Sequence, residues 1–148
     1  MARPRISDEQ RRVRLARRHA VAPQHRVSGP AAAARAVVAL HATEAASVHL
    51  AVAARCDNAT IGDIDRVLYE ERSLVKQLAM RRTLFAFPRD LIPAALSSSS
   101  ERVASALSAR VSRTMVANGL AVDGEAWLDE ACRAVEDVVS EVGALSNA

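Results

Sequence analysis

Apolar and polar positions change their spacing several times along this chain, and each change predicts an element. Ser7-Asp-Glu-Gln10 has the form of a capping box and predicts a helix to about His19. On that helix Arg11, Arg14 and Arg18 share one side, with Arg12 and Arg17 beside them and a thin stripe of Val13, Leu15 and Ala16. Two readings fit: a solvated helix pinned by its stripe, or a basic helix facing phosphate. Residues 20–30 form a linker ending in Pro30, which suits a first helical turn because its missing N–H needs no partner there. A helix of about ten residues to Leu40 is predicted next. The step His41-Ala-Thr43 then breaks it, with Thr43 as N-cap and Glu44 as first-turn anion of a second helix through Arg55.

Cys56-Asp-Asn-Ala59 reads as a turn, and Thr60 with Asp63 as a second capping box opening a helix to about Glu71, its apolar face marked by Ile61, Ile64 and Leu68. Ser73 is placed to cap a short helix or turn over Leu74–Leu78. From Met80 to Phe87 the residues alternate as in a strand, Arg82, Leu84 and Ala86 on one side and Thr83, Phe85 and Phe87 on the other, stopped by Pro88. This is the one convincing strand signal. Asp90 to about Asn118 is helical again with a break at Ser97–Ser100, and Val103, Leu107, Val111 and Met115 follow at fourfold spacing up to Gly119. Asp123-Gly-Glu125 opens a last helix, whose seam of Leu128, Ala131, Val135, Val138 and Val142 is core or a partner interface, with Gly143 at its end. The expected class is mainly α: a winged helix-turn-helix with a short β wing, followed by long helices, although a plain helical bundle predicts almost the same pattern.

Composition narrows this. Half of the 148 residues are apolar but only 3% are aromatic, so one ordinary core must be built from small side chains on closely approaching helices. No uninterrupted apolar run is long enough for a membrane span, and the Arg-rich start has no apolar segment behind it, so a cytoplasmic protein is expected, without a membrane partner. Cys56 and Cys132 lack metal-ligand spacing and are expected to be buried and reduced; neither a metal nor a small-molecule cofactor is expected. The net charge of +3 hides an asymmetry: residues 1–26 carry eight Arg against Asp8 and Glu9, a local +6, and residues 118–148 carry seven carboxylates against Arg133, a local −6. Nineteen of the twenty basic residues are Arg, which reflects a GC-rich genome as readily as a need for phosphate-binding forks.

Three segments in order, VALHATEAASVHL (38–50), DIDRVLYEERSLV (63–75) and MRRTLFAFP (80–88), resemble the winged-helix DNA-binding family that includes the AlkZ-like and YcaQ-like DNA glycosylases. The second and third are the more specific. The resemblance covers roughly residues 10–148 and implies the N-terminal portion of a longer protein. After the basic helix and linker at 1–29, it implies a winged-helix-like domain at 30–118 and a connecting helix at 119–148 leading to a second winged helix beyond Gly143. It also implies double-stranded DNA as partner.

In glycosylase members the chemistry is carried by a polar-apolar-polar triplet, commonly Gln-x-Gln or Gln-x-Asp, where this chain has His41-Ala42-Thr43. The resemblance thus makes His41 and Thr43 the candidate catalytic pair, positioning water against C1′ of an alkylated nucleotide; the departure from glutamine bears on the chemistry more than on DNA binding. Glu44 is the nearest carboxylate, but its side chain would project differently. Against this stands a plain helix junction, with Thr43 capping and His41 bonded to a neighbouring carbonyl. Arg72, Lys76, Arg81 and Arg82 are the candidate DNA contacts, the plain alternatives being solvated helix charges and a gatekept strand edge. His49 reads as a satisfied core or boundary histidine, and Phe85 and Phe87 as core. The functional expectations are a glycosylase excising alkylated bases, with this fragment alone expected to be inactive; alternatively a non-enzymatic DNA-binding or regulatory winged-helix protein; and, third, a structural helical domain whose isolated fragment does nothing alone.

Overall fold

The computed structural model describes residues 5–142. Helix α1, Asp8–Arg18, begins as its capping box dictates: Gln10 N–H donates to Ser7 Oγ at 3.2 Å and Ser7 N–H donates to Gln10 Oε1 at 3.0 Å. Helix α2, Pro30–Ala36, is shorter than the predicted ten residues. It stops without a glycine, Val38 itself taking a left-handed φ of 73°, so the chain gives no ordinary stop signal. Leu40 and His41 then form strand β1, which corrects the expectation of helix as far as Leu40 and of a simple break at His41.

Helix α3, Ala45–Ala53, has Glu44 rather than Thr43 as N-cap, and no side chain caps it. Thr43 is occupied elsewhere, as its hydroxyl accepts the Leu84 N–H at 3.2 Å. Helix α4, Ile61–Asp65, opens with both bonds of the Thr60–Asp63 capping box and continues as a π-helical turn over Arg66–Glu70. The next segment differs most from expectation: Leu74–Leu78 is not helical but strand β2, and the Ser73 hydroxyl is buried without a partner among the described residues rather than capping a helix. Strand β3, Leu84–Pro88, is shorter than the predicted Met80–Phe87 because Met80–Arg82 form the turn between β2 and β3.

The sheet is antiparallel with order β1-β3-β2. Its register pairs Leu40 with Ala86 and His41 with Phe85, and Lys76 with Ala86 and Gln77 with Phe85. Because directly paired residues share a face, Leu40, Leu74, Leu84 and Ala86 lie on one side and His41, Phe85 and Phe87 on the other. The first side packs on small residues of α2, α3 and α4, including Ala33, Ala34, Val48, Val52 and Ile64. The second packs Phe85 and Phe87 with Ala79, Ile92 and Ala95, the last two on helix α5, Ile92–Ala95. The expected small-residue core and the core assignment of Phe85 and Phe87 both hold. His49 is satisfied at the boundary: Nδ1 lies 3.2 Å from the Ala45 carbonyl and Nε2 lies 3.0 Å from Asp65 Oδ1.

After α5 a π-helical stretch, Leu96–Ser100, occupies the expected break. The chain divides there into two compact units, one ending at Ser100 and one beginning at Glu101. The second unit is an antiparallel-type pair, α6 Glu101–Ala117 and α7 Gly124–Val142, joined by a turn in which Gly119 has φ 67°. Asp123 Oδ1 caps α7 by accepting the Glu125 and Ala126 N–H groups. The predicted seam on α7 is half-buried at Leu128 and Ala131 but exposed at Val135, Val138 and Val142, so it is not core along its length. Gly143 lies outside the described residues. Cys56 is buried and free, and Cys132, expected to be buried, is exposed.

Candidate active site at the strand break and hairpin tip

His41 ends β1, and Ala42 continues its pairing by donating its N–H to the Leu84 carbonyl at 2.8 Å. Ala42 is buried, so the alternation of an extended chain sends His41 and Thr43 the other way, and both are exposed. Their polar atoms meet: Thr43 Oγ1 and His41 Nε2 are 3.5 Å apart. That separation is at the outer limit of a direct hydrogen bond, yet it allows one water to sit about 2.8 Å from both atoms. The imidazole stands edge-on to Phe85, with ring centroids 5.4 Å apart, which restricts its orientation. Thr43 is held by the Leu84 N–H, a bond that uses one lone pair and leaves the hydroxyl proton free to donate.

The β2–β3 hairpin tip is linked to this pair through Leu84, which anchors Thr43 and follows Arg82 by two residues. Thr83 N–H donates to the Met80 carbonyl at 3.2 Å and closes a β-turn around Arg81 and Arg82. Both arginines have left-handed backbones, φ 56° and φ 59°. Such a turn normally takes Asn-Gly, because a side chain at positive φ crowds its own carbonyl. Arg72 has the same conformation, φ 52°, in the turn before β2. Thus three of the four arginine or lysine candidates occupy backbone positions that ordinary residues avoid, a pattern that concentrates at functional sites. No propensity scale would have found it, because Arg is not a turn-former of this type.

The structure does not bring all the candidates together. Arg72 precedes β2 and the Arg81–Arg82 turn follows it, so they lie at opposite ends of a five-residue strand, about 17 Å apart along its axis. Lys76 lies mid-strand and half-buried, its Nζ donating to the Tyr69 hydroxyl at 2.8 Å and standing 5.0 Å from that ring's centre. Among the described residues Arg72, Arg81 and Arg82 make no ion pair, in contrast to Arg66, which is paired with both Asp63 and Glu71. Among the described residues no group of three or more His, Cys, Asp or Glu is placed to hold a metal ion, and no helix is long and apolar enough to cross a membrane.

A family model described as DNA glycosylase AlkZ-like matches residues 34–148. The match takes in β1, the His41–Thr43 pair and the whole hairpin, and leaves α1 outside it. No match was found among curated proteins or among solved structures.

Proposed function

Since the chain belongs to the AlkZ-like DNA glycosylase family, we propose that it is a winged-helix DNA-binding protein that excises alkylated bases from double-stranded DNA. The β2–β3 hairpin is the wing in this reading, and His41 and Thr43 hold the attacking water. The observation that carries it is the convergence of two exposed polar atoms 3.5 Å apart with a two-arginine hairpin tip. The tip grips the phosphate backbone and the polar pair faces the sugar. Arg72, at the far end of β2, meets a separate phosphate, and Lys76 serves through its contact with Tyr69.

The chemistry asks little of the protein. An N-alkylated purine is cationic, so when the C1′–N bond breaks the base leaves as a neutral molecule without prior protonation. Water supplies the oxygen that bonds C1′, His41 takes the water's proton, and the products are the free base and an abasic sugar. Thr43 fixes the water's position, and its own position is fixed in turn by the Leu84 N–H. Glu44, the N-cap residue of α3, is close enough in sequence to favour the positive sugar of the transition state but has no contact with the pair that assigns it a role.

A second reading, DNA binding without excision, is favoured by one observation: the Thr43 hydroxyl already serves the hairpin, so the pair also makes sense as a structural clasp. Release of free base from an N-methylated duplex, followed by chromatography, separates the two. In the glycosylase reading His41→Ala lowers release by about 100-fold or more while duplex affinity stays unchanged. Undiminished release removes His41 from the mechanism. Tight duplex binding with no release by the unaltered protein leaves the second reading standing.

A further inference from the structure

Helix α1 precedes the region that matches the family, and it contributes no buried residue. It is nevertheless well specified, with both bonds of its capping box made. Five of its eleven residues are Arg, and its only acids, Asp8 and Glu9, are confined to the first turn. Among the described residues none of Arg11, Arg12, Arg14, Arg17 and Arg18 makes an ion pair. Like charges at three- and four-residue spacing, Arg11–Arg14, Arg14–Arg17 and Arg14–Arg18, cost the helix a few tenths of a kcal/mol per pair, while Asp8 and Glu9 in its first turn and Arg17 and Arg18 in its last favour its dipole; the helix therefore carries concentrated positive charge open to an anionic ligand.

The distribution around the helix says what that is. Ala16 and His19 are half-buried and Ala20 is buried, which marks the inward side. Arg11, Arg14 and Arg18, at spacing i, i+3, i+7, line the opposite side. Seven residues of helix place them along about 10 Å of axis, the axial span of roughly three phosphates on one DNA strand. An anionic membrane would need a broad apolar face opposite the charges. Here Val13 and Leu15, two positions apart, project from different sides and no such face exists. We propose that α1 is a second nucleic-acid contact, in which Arg11, Arg14 and Arg18 bind consecutive phosphates and extend the footprint beyond the hairpin. This rests on the DNA reading above for the identity of the partner.

The test uses the full chain, a short unmodified duplex and a salt series followed by fluorescence anisotropy. The variant Arg11→Gln/Arg14→Gln/Arg18→Gln keeps helix-forming side chains, and circular dichroism checks that α1 persists. The plot of log Kd against log salt is expected to become shallower by roughly 2.7, whereas the equal charge change Arg102→Gln/Arg110→Gln/Arg113→Gln leaves the slope as it was. An unchanged slope in the α1 variant, or an equal change in both variants, overturns the inference while the DNA reading stands. Binding to phosphatidylserine vesicles that depends on α1, with the duplex slope unaltered, overturns it in favour of a lipid surface. If the unaltered protein fails to bind duplex even at low salt, it is the proposed function that fails, and this inference with it.

Discussion

Arg81 and Arg82 illustrate how a residue can be costly to the fold and useful to a ligand. A left-handed conformation costs an ordinary residue roughly 1–2 kcal/mol, and the hairpin carries two in succession. Asn-Gly suits the same turn without that strain. We therefore expect Arg81→Asn/Arg82→Gly to raise the thermal midpoint by several degrees and, at the same time, to weaken duplex binding. A change in stability with no change in affinity would mean that the tip is only a turn. Thr43 gives the complementary case: Thr43→Val leaves the Leu84 N–H without its acceptor and is expected to cost about 1 kcal/mol in denaturant unfolding, whatever its effect on base release.

Among elements, α6 and α7 approach closely at Gly124, where an added Cβ would overlap the Ser112 backbone carbonyl. Backbone cannot step aside as a flexible side chain does, so Gly124→Ala is expected to destabilise this unit by about 2 kcal/mol or more. Trp127, the only tryptophan, lies one turn along α7 and its fluorescence reports the change; an unshifted transition would show that the helices do not need that close approach. In the other unit two carboxyls are held by specific partners, Asp63 locally at the start of α4 and Asp90 by Arg35 of α2. The Thr60 hydroxyl and N–H hold Asp63 below its ordinary value of 3.8, with Arg66 adding to them, and Arg35 holds Asp90 below it through a two-point bond of 2.7 and 2.9 Å. Both groups bind protons more weakly folded than unfolded. Their stabilisation is therefore complete above 3.8 and is lost as pH falls through the depressed folded values. Urea midpoints measured from about pH 5 downward should fall, and less steeply in Asp63→Asn/Asp90→Asn; parallel acid profiles would contradict it.

At the scale of the whole molecule the charge asymmetry becomes a prediction about binding. Two hairpin arginines, Arg72 and three arginines on α1 amount to about six phosphate contacts and a salt slope near −5.4. Duplex affinity should then fall roughly 1,800-fold between 50 and 200 mM salt, and Arg81→Gln/Arg82→Gln alone should remove about 1.8 from the slope. A slope near −1 for the unaltered protein would exclude this footprint.

Local signals in the sequence determined what local physics controls. Both capping boxes and the Asp123 start of α7 depend on bonds within four residues, and each appears where its residues place it, as does the irregular stretch near Ser97. The small-residue core was equally legible, because composition left no other material for it. What tertiary structure decided was everything settled by a distant partner. Leu74–Leu78 is short and ambiguous by itself and becomes a strand through pairing with β3. Thr43 is as good a cap as any threonine, but the Leu84 N–H, forty-one residues away, claims its oxygen. The left-handed arginines follow from closing that hairpin in so short a turn, where backbone geometry overrides the preference of the side chain.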